Sequence, residues 1–147
     1  MKPRRKARCV ALQALYEIDC TGHPAADVIA QRLEDDTLPD GVHTFVYQLV
    51  NGVLEHMSIM NAVIHRYAPE WPLDQMAIID RNILRMAIFE FAVAGKTPIK
   101  VAINEAVELA KIFGSDSAPR FINGVLGTLA SRQDEIAQAL KRKESES

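Results

Sequence analysis

The sequence predicts an all-α protein, and three observations predict it. Apolar residues recur at helical spacing in nearly every segment of the 147-residue chain. No stretch alternates β-branched and polar residues over the length of a strand. The interruptions are clusters of turn residues: "TGHP" at 21–24, "DDTLPDG" at 35–41, "APEWPL" at 68–73 and "AGKTP" at 94–98. About seven helices result. They form a single domain over 1–147, with an N-terminal helical subdomain at about 1–68 and a C-terminal one at about 73–143.

Each helix has its own justification. In the first, Ala7, Val10, Ala11, Ala14, Leu15 and Ile18 share one arc at 100° per residue. A short helix follows over Ala25–Leu33. From Val42, the pattern Phe45, Val46, Leu49, Val53, Met60, Val63, Ile64 and Tyr67 fits one long helix, or two with a bend near Gly52 or Ser58. The two prolines of "APEWPL" cannot lie inside a helix, and they mark the seam between the subdomains. Beyond them Asp74 can cap an apolar helix reaching about Val93. Thr97 and Pro98 resemble an N-cap followed by a first-turn proline. The helix "IKVAINEAVELAKIF" stops at Gly114, a natural left-handed cap. "SDSAP" opens the next, "RFINGVLGTLA", and a last helix leads into "KRKESES", which is expected to fray.

Composition removes several function classes. With 48% hydrophobic and 24% charged residues the chain is an ordinary globular one, not a disordered one. No apolar run is long enough to span a bilayer, and no apolar stretch follows the N-terminal cations as in a secretory signal, so the cytoplasm is expected. Cys9 and Cys20 share a helix about 16 Å apart, too far to bridge, and read as small buried or half-buried apolar groups in a reducing compartment. His43, His56 and His65 lack metal-ligand spacing, so no metal and no cofactor are expected. Asp35–Asp36 reads as an acidic loop, and "GVLG" at 124–127 as close helix packing, not a nucleic-acid clamp. No nucleophile has an identifiable base and no glycine-rich loop cradles a phosphate, so an enzyme is not expected.

One feature does point to chemistry. Lys2, Arg4, Arg5, Lys6 and Arg8 crowd the start of the first helix. Without those five, 12 cations face 19 acids, a charge of −7. Cations are unfavourable at a helix N-terminus, but a bound polyanion would meet both the side chains and the free N–H groups of the first turn. Arg5, Arg8, Leu12 and Tyr16 form a strip beside the core arc, with charge for phosphates and a ring for unstacked bases. On composition alone, a solubilising tail with Tyr16 at the core edge fits equally well. On "DRNILRMAIFEF", Asp80, Arg81 and Arg85 oppose the core residues. That face reads either as solvated or as a partner surface.

Three stretches resemble the NusB family of transcription antitermination factors: the basic arm with "ALQALYEID", "YAPEWPLDQMAIIDRNILRMAIFEF", and "TPIKVAINEAVELAKIFGSDSAPRFINGVL". The resemblance implies a non-catalytic RNA-binding adaptor of two small helical subdomains. Its RNA would be boxA-type single-stranded RNA of ribosomal RNA leaders. Its protein partner would be NusE, a small-subunit ribosomal protein, with NusA, NusG and RNA polymerase reached through the complex. Carried over by position, the RNA surface comprises Lys2, Arg4, Arg5, Lys6, Arg8 and Tyr16, then Phe113, Asp116, Ser117, Arg120 and Phe121, with Tyr67 and Arg85 on neighbouring segments. The protein-partner face comprises Glu17, Asp80, Arg81 and Arg85. "GSDSAPRF" sets Asp116 and Ser117 one position off the family spacing before Phe121. A monomer and a homodimer both fit. Two other readings are an RNA-recognition domain fronting a ribosomal RNA methyltransferase and a helical interaction or ribosome-biogenesis module with an incidental arm. The methyltransferase reading expects a glycine-rich cofactor loop and a catalytic domain that 147 residues do not hold.

Overall fold

A computed structural model describes residues 1–35 and 38–146. Among them the chain forms eight α-helices and no strand. They are α1 (Pro3–Thr21), α2 (Ala25–Asp35), α3 (Asp40–Glu55), α4 (Met57–Tyr67), α5 (Ile78–Ile88), α6 (Ile99–Phe113), α7 (Ala118–Ala130) and α8 (Gln133–Glu146). Asp36 and Ser147, from the acidic loop and the tail, lie outside the described residues. The backbone of α8 stays helical to Glu146, where fraying was expected. Ile136, Ala139 and Leu140 anchor its preceding turns in the core.

The chain divides into two compact units, Met1–Glu55 and His56–Ser147. The sequence places the seam at 68–73. In the first unit α1 packs on α2 and α3, and α2 packs on α3. Ala7, Val10, Ala11, Ala14 and Leu15 are buried as their arc requires, and Leu12 joins them. Each buried leucine or valine contributes about 1.5–3 kcal/mol. α1 ends because Gly22 takes φ +73, a left-handed turn whose N–H closes on the Ile18 carbonyl at 2.8 Å. Cys9 is buried, but Cys20 is exposed, so only one thiol behaves as the apolar group expected.

In the second unit α6 packs against α5 and α7, while α8 packs on α4 and on a π-turn at Phe89–Val93. Ile64, Ile83, Leu84, Ile88, Ile122 and Leu126 are fully buried at its centre. Four local expectations are corrected here. Asp74 caps nothing: it lies in a short 3-10 turn, Leu73–Gln75, and α5 starts only at Ile78 after extended Met76 and Ala77. Thr97 does not cap α6; its hydroxyl donates to buried Glu90 Oε1 at 3.0 Å. Gly114 is extended (φ −90, ψ 179), not left-handed. A side chain there would meet Ala118 Cβ at 2.5 Å and the Ala110 carbonyl at 2.9 Å, so the residue is small because α6 and α7 approach closely. Gly124 and Gly127 face open space in the interior of α7, so "GVLG" is neither close packing nor a loop.

Candidate nucleic-acid and partner surfaces

In the first unit the basic arm becomes the opening turns of α1. Lys2 occupies the N-cap, no side chain caps the helix, and its first turn holds no acid. The first-turn amides and the cations therefore present positive charge together. Lys2 and Arg4 are exposed; Arg5 and Lys6 are half-buried. Arg8 differs from the exposed cation expected. It is 6% exposed, with its guanidinium carbon 5.2 Å from the centre of the Phe45 ring. Arg4 stands over the same ring at 4.3 Å. Phe45 on α3 is thus a platform that holds two arginines, each contact worth about 0.5–1 kcal/mol at exposed sites. Sequence reasoning missed it because a half-buried phenylalanine in an apolar stripe reads as core.

Tyr16 is 42% exposed on the same helix. A hydrogen bond with the Cys20 thiol, reinforced by that group's charge, pushes the tyrosine hydroxyl above its ordinary pKa. It remains a neutral phenol at neutral pH. Glu17, assigned to a partner face, is engaged within the unit. It accepts from Arg32 Nη2 at 3.2 Å and pairs with His23 Nδ1 at 3.2 Å.

Among the described residues of the second unit, a pair of clefts share Trp71 and Pro72. The first, of about 460 Å³, is lined by Asn61, His65, Trp71, Asp74, Arg81 and Arg85. Arg85 is 5% exposed: its Nε donates to Asn61 Oδ1 at 3.1 Å and its Nη1 to Asn82 Oδ1 at 3.4 Å. Asn82 is itself fixed by donating to the Ile78 carbonyl at 2.9 Å. Arg85 is therefore a braced wall of the cleft, whereas Arg81 is half-buried at the lining.

The second cleft, of about 390 Å³, brings together Trp71, Pro72, Met76, Asp80, Ser117 and Phe121. One predicted partner residue and two predicted RNA residues thus share one concavity. Asp80 stands in the first turn of α5, which favours its charge, but burial pushes its carboxyl above the ordinary value. Asp116 and Arg120, next to Ser117 and Phe121 in sequence, are exposed, and Phe113 is half-buried at the end of α6. Tyr67 is flanked by the guanidiniums of Arg66 (5.3 Å) and Arg132 (6.0 Å). Trp71 was legible only as part of a boundary. Its signal was a large aromatic between two prolines, outside any helix that could bury it.

Among the described residues no cluster of His, Cys, Asp or Glu could hold a metal ion. None of the helices is long and apolar enough to cross a membrane. Fold and surfaces define the class: a small all-α protein of two helical units, with a basic helix start on one and an aromatic-walled acidic cleft on the other. Comparison with known proteins narrows that class. The chain matches the NusB family over residues 5–131 and belongs to it.

The transcription antitermination protein NusB of Roseiflexus sp. (strain RS-1) is 49% identical over 134 residues, covering 90% of this chain and 94% of that protein. The Bacillus subtilis (strain 168) protein of the same name is 43% identical, covering 87% and 95%. Among solved structures, T. maritima NusB superposes with a TM-score of 0.77 at 29% identity, covering 93% of this chain and 92% of that one. A crystal structure of antitermination factors NusB and NusE in complex with dsRNA gives a TM-score of 0.78. At 22% identity, over 95% and 98% of the two chains, it shows the shared fold.

Proposed function

We propose that this protein is a non-catalytic, cytoplasmic RNA-binding adaptor in transcription antitermination. It binds boxA-type single-stranded RNA of ribosomal RNA leaders together with the ribosomal protein NusE, and through that pair joins NusA, NusG and RNA polymerase. The observation that carries the reading is the start of α1, which no side chain caps and whose first turn holds no acid, with Lys2, Arg4, Arg5 and Lys6 gathered there. Such a start is unfavourable alone and complementary to phosphate. The names of its relatives, and the NusB–NusE–RNA assembly of a protein with this fold, support the same assignment. The RNA contacts are Lys2, Arg4, Arg5, Lys6 and Tyr16 on one unit and Phe113, Ser117, Arg120 and Phe121 on the other, with Asp116 at their margin. Arg8 acts by holding Phe45. Arg81 and Arg85, which line one cleft, and Asp80 meet the protein partner; Glu17 orders Arg32 and His23.

The test is binding of a short boxA-type RNA, with and without NusE, over a salt series and against a duplex competitor. Affinity falls with salt by about 0.7 log per log for each phosphate neutralised on a single strand. Arg4→Ala with Arg5→Ala lowers that slope by about 1.4 and leaves NusE binding intact. Partner binding with no salt-sensitive RNA response would move the function to the helical faces and make the arm incidental.

A further inference from the structure

Histidine, cysteine and carboxylate groups form no metal cluster among the described residues, but a thioether is a metal ligand as well. At the start of α1 the Cys9 thiol turns toward one: its Sγ lies 4.0 Å from Met1 Sδ. Cys9 is 9% exposed and Met1 75%, so the pair has a buried side and an open one. The antitermination reading uses neither sulfur.

We propose that Met1 Sδ and Cys9 Sγ form a two-sulfur site for one soft monovalent cation of the copper(I) class. The site does not depend on the RNA-binding reading above. Geometry, charge and ligand number agree on it. At about 2.3 Å per metal–sulfur bond, a bent S–metal–S unit of about 120° spans about 4.0 Å and a linear one about 4.6 Å. The sulfurs already stand at the first separation, and the exposed Met1 side chain needs only a small shift to reach the second. The ligand is the thiolate, so the Cys9 S–H proton leaves to solvent as the metal–Sγ bond forms, and no electron is transferred. Arg5 and Lys6 stand four and three residues before Cys9, on its side of the helix, and favour that negative charge. A thiolate and a monovalent ion sum to zero, so the loaded site adds nothing to the positive start of α1. A divalent ion would leave one net positive charge among those cations. Zinc(II) also asks for about four ligands, whereas a thiolate and a thioether are the soft pair that selects copper(I). Loading ties Met1 to the second turn of α1 and closes the chain over Lys2, the N-cap residue.

Silver(I), which shares the charge and ligand preference of copper(I) and keeps its oxidation state, is the first probe. Copper(I) in competition with a chromophoric chelator is the second. Cys20→Ser is the background throughout, because that exposed thiol can take up soft metals by itself. Native mass spectrometry then shows one ion per chain, and Cys9→Ala loses it. Met1→Leu, made like its control by cleaving a tag ahead of position 1, weakens binding by about tenfold or more, since even outer-shell partners of a metal are worth about 10–100-fold. Position 1 is exposed, so this variant leaves the core intact should Cys9→Ala fold poorly. Alkylation of Cys9 by iodoacetamide, slowed by one equivalent of silver(I), repeats the test with both ligands in place. Absence of a stoichiometric ion overturns the proposal. So does an ion that survives Cys9→Ala, or one held equally well by Met1→Leu, which would mark a thiol acting alone.

Discussion

Gly114→Ala tests whether the turn between α6 and α7 is set by packing and not by backbone conformation. At φ −90 and ψ 179 any residue can adopt the geometry, so the substitution introduces no backbone strain. The whole cost is steric. The new methyl would lie 2.5 Å from Ala118 Cβ and 2.9 Å from the Ala110 carbonyl. Neither is the far end of a flexible side chain, so the start of α7 has to move. Overpacking of this kind costs about 1–3 kcal/mol, offset by about 0.4–1 kcal/mol from the less flexible unfolded chain. A net loss of about 1–2 kcal/mol corresponds to a fall of about 2–8 °C in Tm for a chain of this size. Because Ser117 and Phe121 ride on α7, RNA affinity falls with it. Gly124→Ala and Gly127→Ala are the controls. Both sites are open, and alanine is the better helix former by about 0.8–1 kcal/mol, so each raises Tm. Circular dichroism melts of the three variants decide the matter. A Gly114→Ala protein as stable as the wild type would refute the packing account.

Three further outcomes follow from the same contacts. Burial raises the Asp80 pKa, so its ionisation costs stability as pH rises through the folded value; Asp80→Asn should melt above the wild type near neutrality, with the gap closing below the ordinary value of 3.8. A variant less stable than the wild type at neutral pH would contradict this. Arg85→Ala removes the donor to Asn61 and Asn82 and should cost about 2–4 kcal/mol by urea denaturation, and Arg85→Lys, lacking the fork, should recover little of it. Phe45→Leu keeps an apolar side chain but removes the ring beneath Arg4 and Arg8, so it should lose about 1 kcal/mol and weaken RNA binding; unchanged affinity would show that Arg4 needs no platform.

The helices were legible because their periodicity is strong, and the α1 arc was found almost residue for residue. Their ends were harder. Asp74 and Thr97 both carry the chemistry of a cap, but Thr97 is drawn to buried Glu90, and Asp74 stands in a 3-10 turn one extended segment too early. Gly114 was identified as important for the wrong reason, since a glycine before a new helix looks the same whether it supplies a left-handed turn or a close approach. The charged start of α1 was visible from charge alone. Phe45 and Trp71 were not, because an aromatic's role depends on which cations or cavities the fold brings to it. Arg8 and Arg85 show the converse: both were read as surface cations, and both are buried against partners that lie far away in sequence.

The uncapped start of α1 also bears on how the free and loaded proteins differ. α2 and α3 both pack on this helix, so the first unit depends on an element whose opening turn gathers cations with neither a side-chain cap nor an acid in that turn. A polyanion bound there, as proposed, would by mass action stabilise the fold by about 2.7 kcal/mol at a hundred times its Kd. If the proposed RNA site at α1 holds, occupancy is converted into rigidity: the loaded protein should exchange more slowly and resist proteolysis along α1, with the nucleic acid taking the place of the helix cap.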